Sequence, residues 1–375
     1  MHWPDSPALL APLGPWFETE RRDLPWRDGD LDRPHPDPYA VLVSELMLQQ
    51  TQVATVIPYF KRWMANFPDA KALSEAREDD IHKLWEGLGY YRRARHLQAS
   101  AKLIEAGGWP SDFQGLMELP GLGPYTAAAV ASIAFGWPEP ALDGNAFRVA
   151  ARILGLEGDP KPHAKDLRSW LRPALEKHGA SRITQSLMEL GATICAPVPK
   201  CGKCPMAARC RAHQADATDR IPPVVQRLKP KESEIWLVAV EAEGRWLLRQ
   251  PSHQGMLAGL WKWPTVEAAG MTESGLAADP LLAYASTEMQ VWPGWTQVYT
   301  HRREMVNPVH LRLAHAFEGP DDCRWLTGNE LDQIALGKRD QRLRSLIKGT
   351  GTTPVQGPAA ASLLARIKGD ATRAG

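Results

Sequence analysis

Apolar residues recur at helical spacing through the first half of the chain. From Asp37-Pro38 they continue through Tyr39 to Gln50, with Asp placed as a helix cap and Pro suited to the first helical position. The same period predicts helices over Val53–Asn66, Asp80–Glu86, Arg92–Glu105, Tyr125–Phe135, Ala146–Leu154 and Ile183–Ile194. Gly136 and Gly155 stand where C-terminal caps belong. Nothing before about residue 210 alternates as a half-buried strand does.

The pattern changes after about residue 212. Ala215–Lys231 carries Ile221-Pro222-Pro223 and Lys229-Pro230-Lys231 without periodicity, which is the character of a linker. Beyond it, Glu234–Glu241 and Arg245–Arg249 flank Ala242-Glu243-Gly244 as the arms of a hairpin. Further strands are predicted at Trp295–Thr300 and Val309–Phe317, and no internal repeat is present. At 375 residues the chain is too long for one ordinary core. The expected organisation is a helical domain over residues 1–212, a linker at 213–232, a mixed α+β domain over 233–348, and a partly disordered tail of small residues at 349–375.

With 44% hydrophobic and 23% charged residues, the composition is that of a packed globular protein. No apolar run nears the roughly 18 residues that span a bilayer. Nor does the Met1-His2-Trp3-Pro4-Asp5 start resemble a secretory signal, so a cytoplasmic protein without a membrane partner is expected. The net charge of +1 does not announce nucleic-acid binding, although a local basic patch suffices to neutralise phosphates.

Four short motifs carry candidate chemistry. Cys195, Cys201, Cys204 and Cys210 crowd into C-x5-C-x2-C-x5-C, while Cys323 stands apart. Four thiolates so close ligate a compact centre, either a 4Fe–4S cluster or a structural zinc, in a loop that would present Lys200, Lys203 and Arg209. Leu119-Pro120-Gly121-Leu122-Gly123-Pro124 brackets a tight turn before a helix. Its amides suit either a sequence-independent phosphate seat, with Gly121 and Gly123 at its centre, or a plain helix connection. Asp143, in Leu142-Asp143-Gly144-Asn145, precedes a helix and on these residues alone reads as a cap. Glu45 shares the helical face of Leu42 and Leu48. A carboxylate desolvated there keeps its proton to higher pH, as suits a general acid, although a glutamate on a mixed helix is commonly just a surface residue.

Together the four motifs resemble the helix-hairpin-helix DNA glycosylases of the endonuclease III superfamily, and within it the MutY-type adenine glycosylase branch. The resemblance runs over roughly residues 16–345. It is strongest in Arg21–Arg27, in the Glu45 segment through Phe60, in Gly87-Leu88-Gly89-Tyr90-Tyr91 and in Leu142–Asn145. It implies an all-α catalytic domain, in which a six-helix barrel (about 30–142) faces a cluster subdomain (1–29 with 143–212), followed by an α+β Nudix-like domain. It also implies a 4Fe–4S cluster on the four cysteines, although the family usually has six residues, not five, between the first two. Tyr125 stands where the lyases of the superfamily carry a Schiff-base lysine, so a monofunctional enzyme is implied.

By the same resemblance, Glu45 is the general acid and Asp143 the carboxylate facing the sugar cation. Tyr125 and Asn145 orient acid, sugar and water, Gln185 and Arg27 meet the adenine, Gln50 and Tyr90 wedge into the stack, and Leu48 and Thr51 line the partner base. The implied partner is double-stranded DNA with adenine opposite 8-oxoguanine or guanine, bound by a monomer in the bacterial cytoplasm.

Gly259-Leu260-Trp261-Lys262-Trp263-Pro264 resembles a segment of the family's Nudix-like domain. The acidic Nudix box is missing from the residues that follow, so magnesium-dependent pyrophosphate hydrolysis is not expected. For the family's Phe-Ser-His lesion-reading loop, the counterpart is Tyr299-Thr300-His301. A second register would fall on Val306-Asn307-Pro308 and lose the imidazole. Two rival functions remain at this level: a bifunctional glycosylase/lyase acting on oxidised pyrimidines or thymine mismatches, and a damage-binding protein that releases no base.

Overall fold

The computed structural model describes residues 3–27, 30, 33–223, 230–250, 259–267, 288–299, 301–318 and 321–349. The chain divides into two compact units: Met1–Arg77 with Arg93–Gln226, and Glu78–Arg92 with Arg227–Gly375. No helix among the described residues is long and apolar enough to cross a membrane.

Among its described residues the first unit contains helices and no strand. The Pro38–Leu48 helix starts where Asp37 accepts the amides of Tyr39 and Ala40, and Tyr39 through Met47 are all buried. A helix that is apolar all round is a core helix. It packs against Pro124–Phe135, and that helix packs in turn on Ala180–Thr193, which also meets Gly144–Leu154. Leu10 and Leu13, from the short N-terminal helices, join Val149, Leu171, Ile183 and Leu190 in one apolar core, and Cys195 and Cys204 pack at its edge. The first residues of the chain are therefore built into the same core as the helices around Asp143.

Gly191 and Gly121 are glycines for steric reasons. A Cβ on Gly191 would lie 2.9 Å from the Asn145 Cβ, so two helices meet there closer than any side chain permits. Gly121 sits at φ +84°, where a Cβ would lie 2.7 Å from His96.

The second unit is built on a seven-stranded mixed sheet: β1 Lys231–Ala242, β2 Arg245–Arg249, β3 Thr265–Glu267, β4 Glu288–Val291, β5 Trp295–Val298, β6 Arg302–Leu313 and β7 Cys323–Thr327. The main path runs β4-β6-β1-β2-β7, with β3 on β1 and β5 on β6. Strands β1 and β6 are parallel over their whole length, from Lys231 opposite Arg302 to Ala242 opposite Leu313. Ile235, Leu237 and Ala239 face one core with Leu331 and Leu343 of the helices Gly328–Gln333 and Lys338–Ile347. Trp236, Val238 and Val240 face another. Burial on both faces explains why this strand reads as a continuous apolar run.

The β1–β2 turn consists of Glu243 and Gly244, both at positive φ, as a two-residue hairpin requires. Strand β6 begins seven residues before the predicted Val309 and ends at Leu313 rather than Phe317. Pro308 hid its first part, because a proline argues against an interior strand. Here Pro308 falls in the gap between the β4 pairing, which ends at Val309, and the β5 pairing, which begins at Val306. Its missing N–H therefore costs no ladder bond.

Candidate active site

One cleft in the helical unit, with a volume of about 210 Å³, gathers side chains from five separate stretches of chain. Its lining includes Arg27, Glu45, Leu48, Thr51, Tyr125, Asp143, Asn145 and Gln185. Glu45 and Asp143, 98 positions apart in sequence, thus face the same space.

The two carboxyl groups of this cleft are shifted by different surroundings. Glu45 is carried into the core by its apolar helix and is buried. Burial, together with the nearby Asp143 charge, pushes its pKa up to about 7 against the pull of a hydrogen bond from Tyr125 and the charge of Arg27. Burial also raises Asp143, but the amides of Ala146 and Asn145 and the charge of Arg148 oppose the rise. Asp143 caps the Gly144–Leu154 helix, its Oδ1 accepting the Ala146 N–H at 2.7 Å. The structure thus makes it both a cap and a cleft carboxylate. Tyr125 is raised well above its usual range, first by burial and then by Glu45 and Asp143, and so remains a donor.

Glu189 is the opposite case. It is completely buried, yet Arg22 donates to it from Nε at 2.6 Å and Nη2 at 3.0 Å, and Arg27 donates from Nη2 at 2.7 Å. Burial raises its pKa, but the two guanidinium groups outweigh burial and hold the carboxyl below its ordinary range. Sequence reasoning missed Glu189 and Arg22. The available signal was the one used for Glu45, a glutamate among apolar residues, here one helical turn beyond Gln185.

Two other contacts set the polar groups of the cleft. Arg148 Nη2 donates to Asn145 Oδ1 at 2.8 Å and to the Gly191 carbonyl at 2.9 Å, while Nε donates to the Cys195 carbonyl at 2.8 Å. The Asn145 amide is thereby oriented with its NH2 as the remaining donor. Gln185 Nε2 donates to Ser181 Oγ at 3.1 Å, which leaves its carbonyl oxygen as the remaining acceptor. Neither Arg148 nor Gly191 was singled out from the sequence.

The other candidate residues lie outside this lining. Gln50 is exposed at the end of the Glu45 helix, with φ +57°. Tyr90 belongs to the second unit, is 44% exposed and has φ +49°. Gly121 and Gly123 form the turn before Pro124–Phe135, with Gly123 as its N-cap. In the second unit the Tyr299 N–H donates to the Arg302 carbonyl at 2.8 Å, closing the β5–β6 hairpin. Tyr299 is half-buried and His301 exposed, whereas Thr300 lies outside the described residues, as does most of the stretch after Pro264, 268–287. Val306-Asn307-Pro308 lies inside β6, paired with Ile235–Leu237.

Cys195, Cys201, Cys204 and Cys210 line a second cavity of the helical unit together with Arg152 and His213. Burial pushes the Cys204 thiol up to about 11 and raises Cys210, and the other cysteines add to both shifts. Among the described residues no three His, Cys, Asp or Glu side chains gather tightly enough to hold a single metal ion. Arg152 is buried, donates to the carbonyls of Ala196, Pro197 and Ile221, and places Nη1 3.5 Å from Cys195 Sγ. Arg209 donates to the carbonyl of Ala8 at 2.6 Å, so it ties the cysteine loop to the first helix.

This architecture has relatives. Residues 43–173 match the HhH-GPD superfamily of base excision DNA repair proteins, and residues 235–346 match the NUDIX domain. The chain is 33% identical over 415 residues to the adenine DNA glycosylase of Homo sapiens, covering 91% of this chain and 74% of that protein. The chain belongs to the adenine DNA glycosylase family. The Buchnera aphidicola member is 33% identical over 257 residues, covering 66% of this chain and 71% of that protein. The Arabidopsis thaliana member is 36% identical over 290 residues, which span 67% of this chain but 46% of that longer protein. The fold is accordingly a helix-hairpin-helix glycosylase domain followed by a Nudix-like domain, and DNA is the substrate of the family.

The raised pKa of Glu45 has a consequence for stability. Between its exposed value near 4.5 and its folded value of about 7, the native state holds a proton that the unfolded state releases. Stability therefore falls as pH rises through that window, by about 3 kcal/mol in all. Glu45→Gln removes the dependence. Urea melts at pH 4 and pH 8 are expected to show the variant gaining on the parent by that order at the higher pH; an equal difference at both would refute the shift.

Proposed function

We propose that this protein is a monofunctional glycosylase that removes adenine mispaired with 8-oxoguanine or guanine from double-stranded DNA, acting as a monomer. The observation that carries the proposal is the convergence on one cleft of Asp143 and of Glu45, whose pKa burial raises to about 7. The enzyme is a hydrolase of N-glycosidic bonds. Adenine is extruded from the stack at a cost of a few kcal/mol. Glu45 donates its proton to N7, improving the leaving group, and Asp143 faces the positive charge that develops on the sugar. Tyr125 keeps the Glu45 proton aimed, and the Asn145 NH2, fixed by Arg148, orients sugar and water. Gln185 offers its carbonyl oxygen to the base edge beside the Arg27–Glu189 pair.

Tyr125 supplies no amine for an imine, which counts against the lyase reading. A buried glutamate poised near neutral pH is more than a damage-binding protein needs. Gly121 and Gly123 seat a backbone phosphate, Gln50 and Tyr90 enter the stack, and Leu48 and Thr51 meet the partner base. In the second unit, Thr300 and His301, which follow Tyr299 in sequence, read the 8-oxoguanine. The position of Val306-Asn307-Pro308 inside the sheet favours this register.

The four-cysteine cavity fits a 4Fe–4S cluster. All four donors are sulfur and line one cavity, and a cationic centre would favour the thiolate forms that their mutual repulsion disfavours. Such a cluster would fasten the loop after the Ala180–Thr193 helix, and Arg148 and Arg152 already hold its first cysteine segment.

Three measurements test these assignments. Glu45→Gln is expected to bind an 8-oxoguanine:adenine duplex near normally while releasing no adenine, and the parent's single-turnover rate is expected to fall as pH rises above about 7. Normal release by the variant would remove Glu45 from its role. Thr300→Ala with His301→Ala should erase the preference for 8-oxoguanine:adenine over guanine:adenine; unchanged discrimination would overturn the reader hairpin. Elemental analysis of purified protein should find iron with acid-labile sulfide, and stoichiometric zinc would replace the cluster assignment.

A further inference from the structure

Arg93 is a buried cation far from both carboxyl groups of the mechanism by sequence, and no step above uses it. Its Nη1 donates to three main-chain carbonyls at the end of the Glu45 helix: Leu46 at 2.8 Å, Met47 at 2.8 Å and Gln49 at 2.6 Å. Its Nη2 donates to Thr51 Oγ1 at 3.3 Å. Helix C-termini leave such carbonyls unpaired, and a guanidinium there is favoured by the helix dipole as well. The pattern nevertheless goes beyond a cap. The residues on either side of Gln50 are both fastened to one rigid fork, and Gln50 between them stands exposed at φ +57°. A non-glycine residue in the left-handed region costs on the order of 1–2 kcal/mol, and persists only where its surroundings impose it.

We propose that Arg93 is a positioning residue for base extrusion. By gripping Gln49 and Thr51 it imposes the left-handed turn that aims the Gln50 side chain outward, so that the wedge is formed before DNA arrives. This rests on the reading of Gln50 as a residue that enters the stack. An organised wedge needs no reordering during extrusion, which is when its contribution counts. A cap that merely stabilised the Glu45 helix would act on every substrate alike. A wedge support acts only where a base must be unstacked.

The test uses the full chain and single-turnover adenine release from two substrates: a fully paired duplex with adenine opposite 8-oxoguanine, and the same strand with its adenine in an unpaired bubble. Rates are normalised to active-site titration, so that misfolded protein is not counted. Arg93→Met is expected to slow release from the paired duplex about tenfold relative to the bubble, the size expected when part of a few-kcal/mol unstacking cost is no longer offset. Arg93→Lys, which keeps charge and reach, should recover part of that loss and serves if the methionine variant does not fold. Gln50→Ala should show the same selective loss, and adding Arg93→Met to it should slow the paired duplex no further. Equal slowing on both substrates, or losses that multiply in the double variant, would overturn the positioning role. If Gln50→Ala leaves the paired-duplex rate unchanged, the wedge assignment itself is wrong, and the proposal falls with it for that separate reason.

Discussion

The chemistry of this protein depends on burying one carboxyl group without giving it a cation strong enough to keep it ionised. Glu45 sits in a buried, mostly apolar helix, and Tyr125 and Arg27 only partly offset the cost of charge there. Glu189, buried and bonded to Arg22 and Arg27 of the cleft lining, is held below its ordinary range because both guanidinium groups donate to it. Asp143 lies between these extremes, held by backbone amides at a helix start. Three neighbouring acids are thus shifted to different extents by their surroundings alone.

The Gly144–Leu154 helix joins this cleft to the cysteine cavity. Asp143 caps it and Asn145 opens its first turn, while Arg148 bonds Asn145, Gly191 and Cys195 and Arg152 bonds the segment after Cys195. The close approach at Gly191 lets Arg148 reach all three of its partners. The cysteine loop is therefore mechanically continuous with Asn145, although none of the cysteines lines the cleft.

The second unit solves a different problem. Its central β1–β6 pair is buried on both faces, and the hairpin leading into β6 projects from that rigid strand. Tyr299 is half-buried, with Glu304 and Arg339 among the groups that act on its hydroxyl.

Much of this was legible in the chain. Asp37-Pro38 and Gly136 marked real helix ends, the helical-to-strand change near residue 212 matched the two family domains, and the isolation of Glu45 among apolar residues anticipated its desolvation. These are local properties, set by capping, periodicity and neighbours within a turn. The first part of β6 was hidden, because a proline is excluded from a strand interior only when its N–H is needed, and that depends on where β4 and β5 end.

Likewise, Asp143 looked like a simple cap until the fold placed it on the same cleft as Glu45. Glu189 was passed over because a charged side chain acquires meaning only from partners distant in sequence. Periodicity and capping determined which segments became helices and strands. Only the tertiary structure decided which carboxyl keeps its proton, since desolvation and ion pairing depend on groups that no local spacing brings together.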